Sequence, residues 1–313
     1  MSNNAFSIDP LESDFGERLD VCISTHLENQ SRKRVTELIK DGTITVSGFI
    51  KKPGYKVKPG DKISGTIPFI KPISAIPENI DIEIIYEDEE IIIINKQPGL
   101  VVHPAPGNYT GTLVNALLYH FPELSRDDND LRPGIVHRLD KDTSGVMVVA
   151  KNPQSQAILS EQFKERSVSK TYMALVHGVP EKEGLIDKGI GRHPNNRKKM
   201  SVLGTNRKFA ITRWKTIEDY DFASMIECNI ETGRTHQIRV HCAHINHHIL
   251  GDQVYGLEKR EKTDPFKTVL RGISRQMLHA KRLQIDHPVT GMKMEFEVPP
   301  PPDMQKLIER LKD

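Results

Sequence analysis

Little in this chain invites cross-linking. Its 313 residues include three cysteines, Cys22, Cys228 and Cys242, far apart and in no C-x-x-C pair. An odd, scattered set argues against a disulfide framework and a structural zinc site, and fits a reducing, cytoplasmic setting. No apolar run approaches the ~18 residues that a membrane-spanning helix needs, so no membrane association is expected. The opening "MSNNAFSIDPLESD" lacks the basic start and apolar stretch of a secretion signal. There is no internal repeat and no low-complexity tract. Neither sign of charge is in large excess: the formal net charge is +2, with 27% charged and 37% hydrophobic residues, the composition of an ordinary folded protein. At ~150 residues per domain the length predicts two domains.

What is present is clustered. Residues 31 to 58 hold eight Lys or Arg against two acids, and residues 192 to 208 hold six and no acid. Such clusters attract polyphosphate backbones, although solvated faces would look the same. Arg32, Lys33 and Arg34 crowd the first turn of a helix that Ser31 would cap. Cations there oppose the helix dipole, which points to an anionic partner.

The chain reads as a flexible tail over 1–13, a small unit over 14–75, a linker over 76–80 that ends the three-proline stretch 68–79, and a large unit over 81–313. In the small unit, Phe15, Leu19, Cys22, Ile23 and Leu27 form one helical stripe with Asp14 as N-cap, and a second helix ends at Gly42. Beyond the linker, "IDIEIIYEDEEIIIINK" reads as two strands about an acidic turn, "GTLVNALLYHF" as a helix and "GVMVVA" as a buried strand. "NPQSQAILSEQFKE" is a helix with Asn152 as cap and Pro153 at its first position. "SKTYMALVHG", "FASMIECNI" and "RLQIDHP" with "GMKMEFEVP" are further strands. Strands outnumber helices without regular alternation, which predicts an α+β fold with a mixed, mostly antiparallel sheet.

The stretch "HRLDKDTSG", residues 137–145, places His137, Arg138, Asp140, Lys141 and Asp142 directly before a buried strand. Charge that stops where the core begins is the setting of a site held on a rigid element. A carboxylate there, with an ordinary pKa of ~3.9, is ionised at neutral pH and can add covalently or take a proton. "HQIRVHCAHINHH" holds five histidines, but no H-E-x-x-H and no carboxylate, so no metal site is expected there.

"HRLDKDTSG" resembles the H-R-L-D-x-x-T-S-G motif of the pseudouridine synthases that modify uridines in ribosomal and transfer RNA. The likeness continues, in order and spacing, through "SKTYMALVHG", "ETGRTHQIRVH" and "QMLHAKRLQIDHP", and the small unit resembles an S4 RNA-binding domain. One departure lies in "INKQPGLVVHP", where Gln97 follows the lysine in place of the more usual proline. The resemblance implies an isomerase in which Asp140 is catalytic and Arg234 pairs with it. It implies that Arg138 fills the gap left by an extruded base, Tyr172 stacks on the uracil and Leu278 packs against it. His137 is expected to be a hydrogen-bonding residue of the framework. Arg32, Lys33, Arg34, Lys51 and Lys52 of the small unit, with Arg197, Lys198 and Lys199 of the second basic cluster, are the expected RNA contacts. The implied partner is 23S rRNA or the large ribosomal subunit, with several uridines of one hairpin loop, helix 69, as targets. No cofactor and no metal is implied, and the protein is expected to act as a monomer. Alternatives are a non-catalytic RNA-binding assembly factor, a synthase for other rRNA or tRNA uridines, and a hydrolase, which would need a second carboxylate.

Overall fold

The computed structural model describes residues 4–27, 30–67, 75–104, 108–124, 132–196, 199–257 and 265–313. The chain divides into two compact units, Met1–Pro72 and Ile73–Asp313.

In the first unit, β1 (Asn4–Ile8), β2 (Ile44–Val46) and β3 (Ile63–Ile67) form an antiparallel sheet in the order β1-β3-β2. Helices α1 (Leu19–His26) and α2 (Arg32–Lys40) bury Leu19, Cys22, Ile23, Val35, Leu38 and Ile39 against it. The tail expected over 1–13 is thus corrected: residues 4–8 pair along the whole of β3, and Ile8 enters the core. Helix α1 also starts later than the stripe predicts. Gly16 adopts φ +82°, through which a helix cannot continue, so Asp14 is not its cap. The Asp14 carboxylate instead accepts from the Leu11 N–H and bonds His26 Nε2, each at 2.8 Å. Ser31 caps α2 as expected, accepting from the Arg34 N–H.

In the second unit, strands β4 (Glu83–Glu87), β5 (Ile91–Lys96), β6 (Ser144–Ala150), β7 (Ser169–His177) and β8 (Glu183–Asp187) come first. A small sheet follows, of β9 (Ile190–Arg192), β10 (Met200–Ser201) and β11 (Thr205–Lys208). Then come β12 (Ile211–Tyr220), β13 (Ala223–Ile230), β14 (Leu278–Asp286) and β15 (Lys293–Glu297). The main sheet runs β4-β5-β6-β14-β7-β13-β12-β8, with β15 paired to β14. It is antiparallel except at β6–β14. The helices are α3 (Leu113–His120), α4 (Pro153–Glu165), α5 (Gln237–His244), the short α6 (Phe266–Val269) and α7 (Pro302–Lys312). This is the α+β fold the pattern predicts.

The apolar runs in β5 and β6 reflect burial on both faces. Ile92, Ile94, Met147 and Val149 join one core, while Ile91, Ile93, Val146 and Val148 join the other. The stretch 76–80 is not a free linker. Glu78 N–H donates to Asn115 O, and Asn115 Nδ2 donates to Ile76 O, which docks it on α3.

The glycine that ends "HRLDKDTSG" has a steric reason. Gly145 sits at φ +120°, and a Cβ there would meet Ala280 O at 2.2 Å across the β6–β14 pairing. Gly145→Ala is therefore expected to cost about 3 kcal/mol of stability. Equilibrium urea unfolding measures this, and a loss below about 1 kcal/mol would show that the two strands can part without penalty.

Candidate active site

Asp140 lies in the loop that enters β6, half-buried, in a turn closed by the Thr143 N–H donating to Asp140 O. Its Oδ2 accepts from Arg239 Nη1 at 2.9 Å. Among the described residues Oδ1 receives no hydrogen bond. The partner arginine differs from the one expected. Arg234 belongs to the loop before α5 and donates from Nε to Phe209 O at 3.0 Å. Arg239 sits inside α5, whose start is set by His236 in the left-handed region at φ 57°. That start turns Arg239 toward the carboxylate and leaves Arg234 outside the helix.

Arg239 is in turn held by Asp252, a residue that sequence reasoning passed over. Arg239 Nε and Nη2 donate to the two Asp252 oxygens at 2.7 and 2.9 Å, in the parallel arrangement that a guanidinium and a carboxylate favour. Asp252 also accepts from the Val254 and Tyr255 N–H groups. Burial opposes ionisation of Asp252, yet the Arg239 bonds and these amides outweigh it, and its pKa lies below the usual carboxylate range. Burial likewise opposes the Arg239 charge, and the two carboxylates outweigh that too. The Arg239 guanidinium lies 5.2 Å from the Tyr255 ring centroid. Tyr255 also bonds His236 Nδ1 through its hydroxyl, and His236 Nε2 is 3.9 Å from Asp140 Oδ2.

Asp140, Tyr172, Leu278, Arg138, Arg234 and Arg239 all line one cavity of about 60 Å³. Strand β7 supplies Tyr172 and the adjacent β14 supplies Leu278, whose backbone pairs with Ala174. Tyr172 is buried, and burial together with the Asp140 charge raises its phenol pKa, keeping it a neutral, flat surface. A second cavity of about 380 Å³ shares Arg138, Asp140 and Arg239 and opens toward Val102, His103 and Gln253. His137 is a framework residue: its Nε2 accepts from the Val148 N–H at 3.1 Å, and its ring stacks on Phe163 at 4.5 Å. Burial pushes its pKa down to about 3, so it remains neutral.

The expected RNA-contact residues fall into three groups. Lys33 and Lys52 are exposed, and Lys51 lies over the Phe49 and Tyr55 rings. Arg32 is not the uncompensated cation that its place in the first turn suggests, because its Nε donates to Asp20 at 2.9 Å. Arg34 lies 3.9 Å from Glu37. Lys199 stands 5.9 Å from the Tyr255 ring centroid, which brings the second basic cluster beside the site, while Arg197 and Lys198 lie outside the described residues. The histidines of "HQIRVHCAHINHH" bond to separate partners: His241 to Thr212 and Lys188 O, His247 to His177 O, and His248 to Tyr255 O.

Comparison with known proteins defines the class. Residues 90–244 match the family model described as RNA pseudouridylate synthase, and residues 17–63 match the S4 domain. The chain belongs to the RNA pseudouridine synthase family and is an isomerase of that class, with an S4 domain at its N-terminal end. It is 41% identical to the uncharacterized RNA pseudouridine synthase YlyB of Bacillus subtilis, over 99% of both chains. It is 44% identical to ribosomal large subunit pseudouridine synthase D of Neisseria meningitidis serogroup A, over 95% of this chain and 79% of the relative. Among solved structures, human RNA pseudouridylate synthase domain containing 1 superposes with a TM-score of 0.56 at 28% identity. That match covers 75% of this chain and 96% of the human one.

The loop that carries Asp140 is fastened by a buried lysine. Lys96, at the end of β5, donates from Nζ to Gln97 O, Leu100 O and Lys141 O at 2.8 to 3.0 Å. Burial lowers its pKa to about 7, against the opposing pull of the Asp142 and Asp140 charges. Gln97, in the position where the family more usually has proline, supplies one of those carbonyls and donates from Nε2 to Asp81 O. Lys96→Met leaves three acceptors unpaired and is expected to cost about 3 kcal/mol of stability. Chemical unfolding of this variant checks the assignment; a loss under about 1 kcal/mol would mean that the loop stands without the lysine.

Proposed function

We propose that the protein converts uridines of 23S rRNA to pseudouridine with Asp140 as the catalytic carboxylate, its targets lying in the helix 69 hairpin loop. The observation that carries the reading is the disposition of Asp140. One oxygen is held by Arg239 and the other, among the described residues, is left without a hydrogen bond, in a cavity also lined by Tyr172 and Leu278. The isomerisation breaks the N1–C1′ bond, turns the uracil and forms C5–C1′; the C5 proton is lost and N1 gains one. It consumes no electrons and no activated co-substrate. A carboxylate of fixed orientation suits both the bond-breaking and the bond-forming halves. Arg138 is exposed and would fill the stack that the flipped nucleotide leaves, at a cost of a few kcal/mol. The ribosomal substrate is supported by the relatives named ribosomal large subunit pseudouridine synthase D. Residues 14–75, with Lys33, Lys51 and Lys52, then supply a backbone grip of loose sequence preference, which suits modification of more than one uridine in a loop whose bases are already unstacked.

Asp140→Asn removes charge but little volume. It is expected to lower turnover at least a thousandfold (roughly) while RNA binding and the unfolding transition stay near wild type. Arg239→Lys gives up the paired hydrogen bonds and should slow turnover about a hundredfold, against less than about tenfold for Arg234→Lys. The reverse ranking would return the role of Asp140 partner to Arg234. Pseudouridine mapping across the ribosomal RNA of a deletion strain, complemented with wild type or Asp140→Asn, tests the substrate. Helix 69 modified without the gene, or marks lost only from transfer RNA, would sink it.

Replacing Lys33, Lys51 and Lys52 together by alanine should reduce the slope of log Kd against log salt by about 2, at ~0.7 per phosphate released. Titration of binding between low and physiological salt reads this. An unchanged slope would show that these lysines do not touch the backbone.

A further inference from the structure

Beside the Asp140 cavity lies a larger one of about 360 Å³. Among the described residues five cationic side chains line it, Arg132, Arg138, Lys164, Lys170 and Arg234, and no Asp or Glu does. The Phe163 and His137 rings, stacked on each other, form part of its wall. Lys164 is drawn to Glu161 at 2.7 Å, but Lys170 has no such outlet. It is 7% exposed, and among the described residues its ammonium makes no hydrogen bond and no ion pair. Its Nζ stands 5.7 Å from the Phe163 ring centroid. Burial and the nearby Arg166 charge lower its pKa to about 8. The side chain is largely buried, and the cavity it lines gives an anion access to its ammonium.

The position along the sheet says which anion. Lys170 and Tyr172 are two residues apart on β7, so both project from the same face, about 7 Å apart along the strand. Both line this cavity, and Tyr172 also lines the Asp140 cavity. A group held by Lys170 is therefore within one nucleotide of a base held by Tyr172. A compact, strongly hydrated point charge suits a phosphate oxygen, and no acceptor for a base edge competes for it.

We propose that this cavity is a phosphate subsite, in which the Lys170 ammonium binds the backbone phosphodiester next to the uridine held at Asp140 and Tyr172. The proposal rests on the reading of Asp140 and Tyr172 as the uridine site. It makes Lys170 a substrate-binding residue that draws the strand, and with it the target nucleotide, toward the carboxylate.

The test uses the full chain and an unmodified helix 69 hairpin, together with hairpins that each carry one uncharged methylphosphonate linkage. Binding is measured by fluorescence anisotropy for wild type, Lys170→Met and Lys170→Arg, and folding of each variant by its thermal transition. At one loop linkage, neutralisation should weaken wild-type binding about tenfold. Lys170→Met should weaken the all-phosphate hairpin by a similar factor, and neutralising that same linkage should then add less than about twofold. Lys170→Arg should retain most of the affinity. Additive losses at every linkage would overturn the proposal, as would Lys170→Met binding every hairpin as wild type does. If the Met variant does not fold, Lys170→Gln replaces it in the same cycle. Isothermal titration with inorganic phosphate separates a free-anion site: a Lys170-dependent phosphate affinity with no change in RNA binding also overturns the proposal. Conversion of the hairpin by wild type is scored separately. Its absence sinks the helix 69 reading, whereas conversion together with an additive cycle sinks only the phosphate subsite.

Discussion

The guanidinium of Arg239 faces two carboxylates, and the way it divides its hydrogen bonds between them governs what Asp140 can do. Asp252 takes two of them in parallel and two backbone amides besides, so it is fully satisfied within the fold. Asp140 takes the remaining one, at a single oxygen. One positive charge against two negative ones leaves the group with a net charge of 1 − 2 = −1, and that excess resides at the carboxylate that reaches the cavity. A bidentate pair between Arg239 and Asp140 would be stronger and would occupy both oxygens. Asp252 prevents it by holding the other edge of the guanidinium. The carboxylate is thereby fixed in orientation, while among the described residues its other oxygen receives no hydrogen bond.

That arrangement needs the Asp140 loop and α5 to be held in register, and the main sheet does this through unusual contacts. At β6–β14, the one parallel pairing, the backbones approach so closely at Gly145 that no Cβ fits. Lys96 ties the end of β5 to Lys141, the residue after Asp140, and Arg275 donates to Asp142 O on the other side while gripping Asp303 of α7. The loop thus hangs from three points of a sheet whose β5 and β6 are packed on both faces. Rigid support on either side of a half-buried carboxylate is what preorganised chemistry requires.

How much of this could be read beforehand follows from the physics of each signal. "EEIIIINK" and "GVMVVA" were legible as strands because burial on both faces produces continuous apolar runs. Ser31 and Asn152 were legible as caps because capping is local. The same locality explains the failures. Whether Arg234 or Arg239 of "GRTHQIR" turns toward Asp140 depends on where α5 begins, and a left-handed His236 sets that start without any of the usual capping residues. Asp252 sits in "GDQVYG", which reads as a turn; its partner is thirteen residues away, and nothing in the spacing names it. Residues 4–8 carry only Phe6 and Ile8 as large apolar positions, too few to distinguish an edge strand from a tail. The strand "ITRWKTIEDY" mixes charged residues with Thr, Trp and Ile and has no continuous apolar run, so its pairing emerges only from the assembled sheet.

A carboxylate that acts on RNA must also live beside a polyanion. At ~7 Å and an effective dielectric constant of ~20, one phosphate and one carboxylate repel by about 2 kcal/mol, enough to cost more than a factor of ten in occupancy of the reactive geometry. The distribution of charge around Asp140 offsets this. A near-neutral chain of net charge +2 gathers five cations, and no acid among the described residues, at the 360 Å³ cavity. Asp252, the one other carboxylate bonded to Arg239, has its charge consumed inside the fold. Lys170 carries its charge on the Tyr172 face of β7, one nucleotide from where a flipped base would stack. Burial of the Lys170 side chain disfavours its charge in the empty cavity, so a phosphate that enters meets an ammonium with little competing solvent, and the interaction is stronger than a surface contact would be. On the proposed reading, Asp140 and the phosphate anchor are two halves of one electrostatic requirement: the carboxylate repels the RNA strand, and Lys170 draws the strand in despite that.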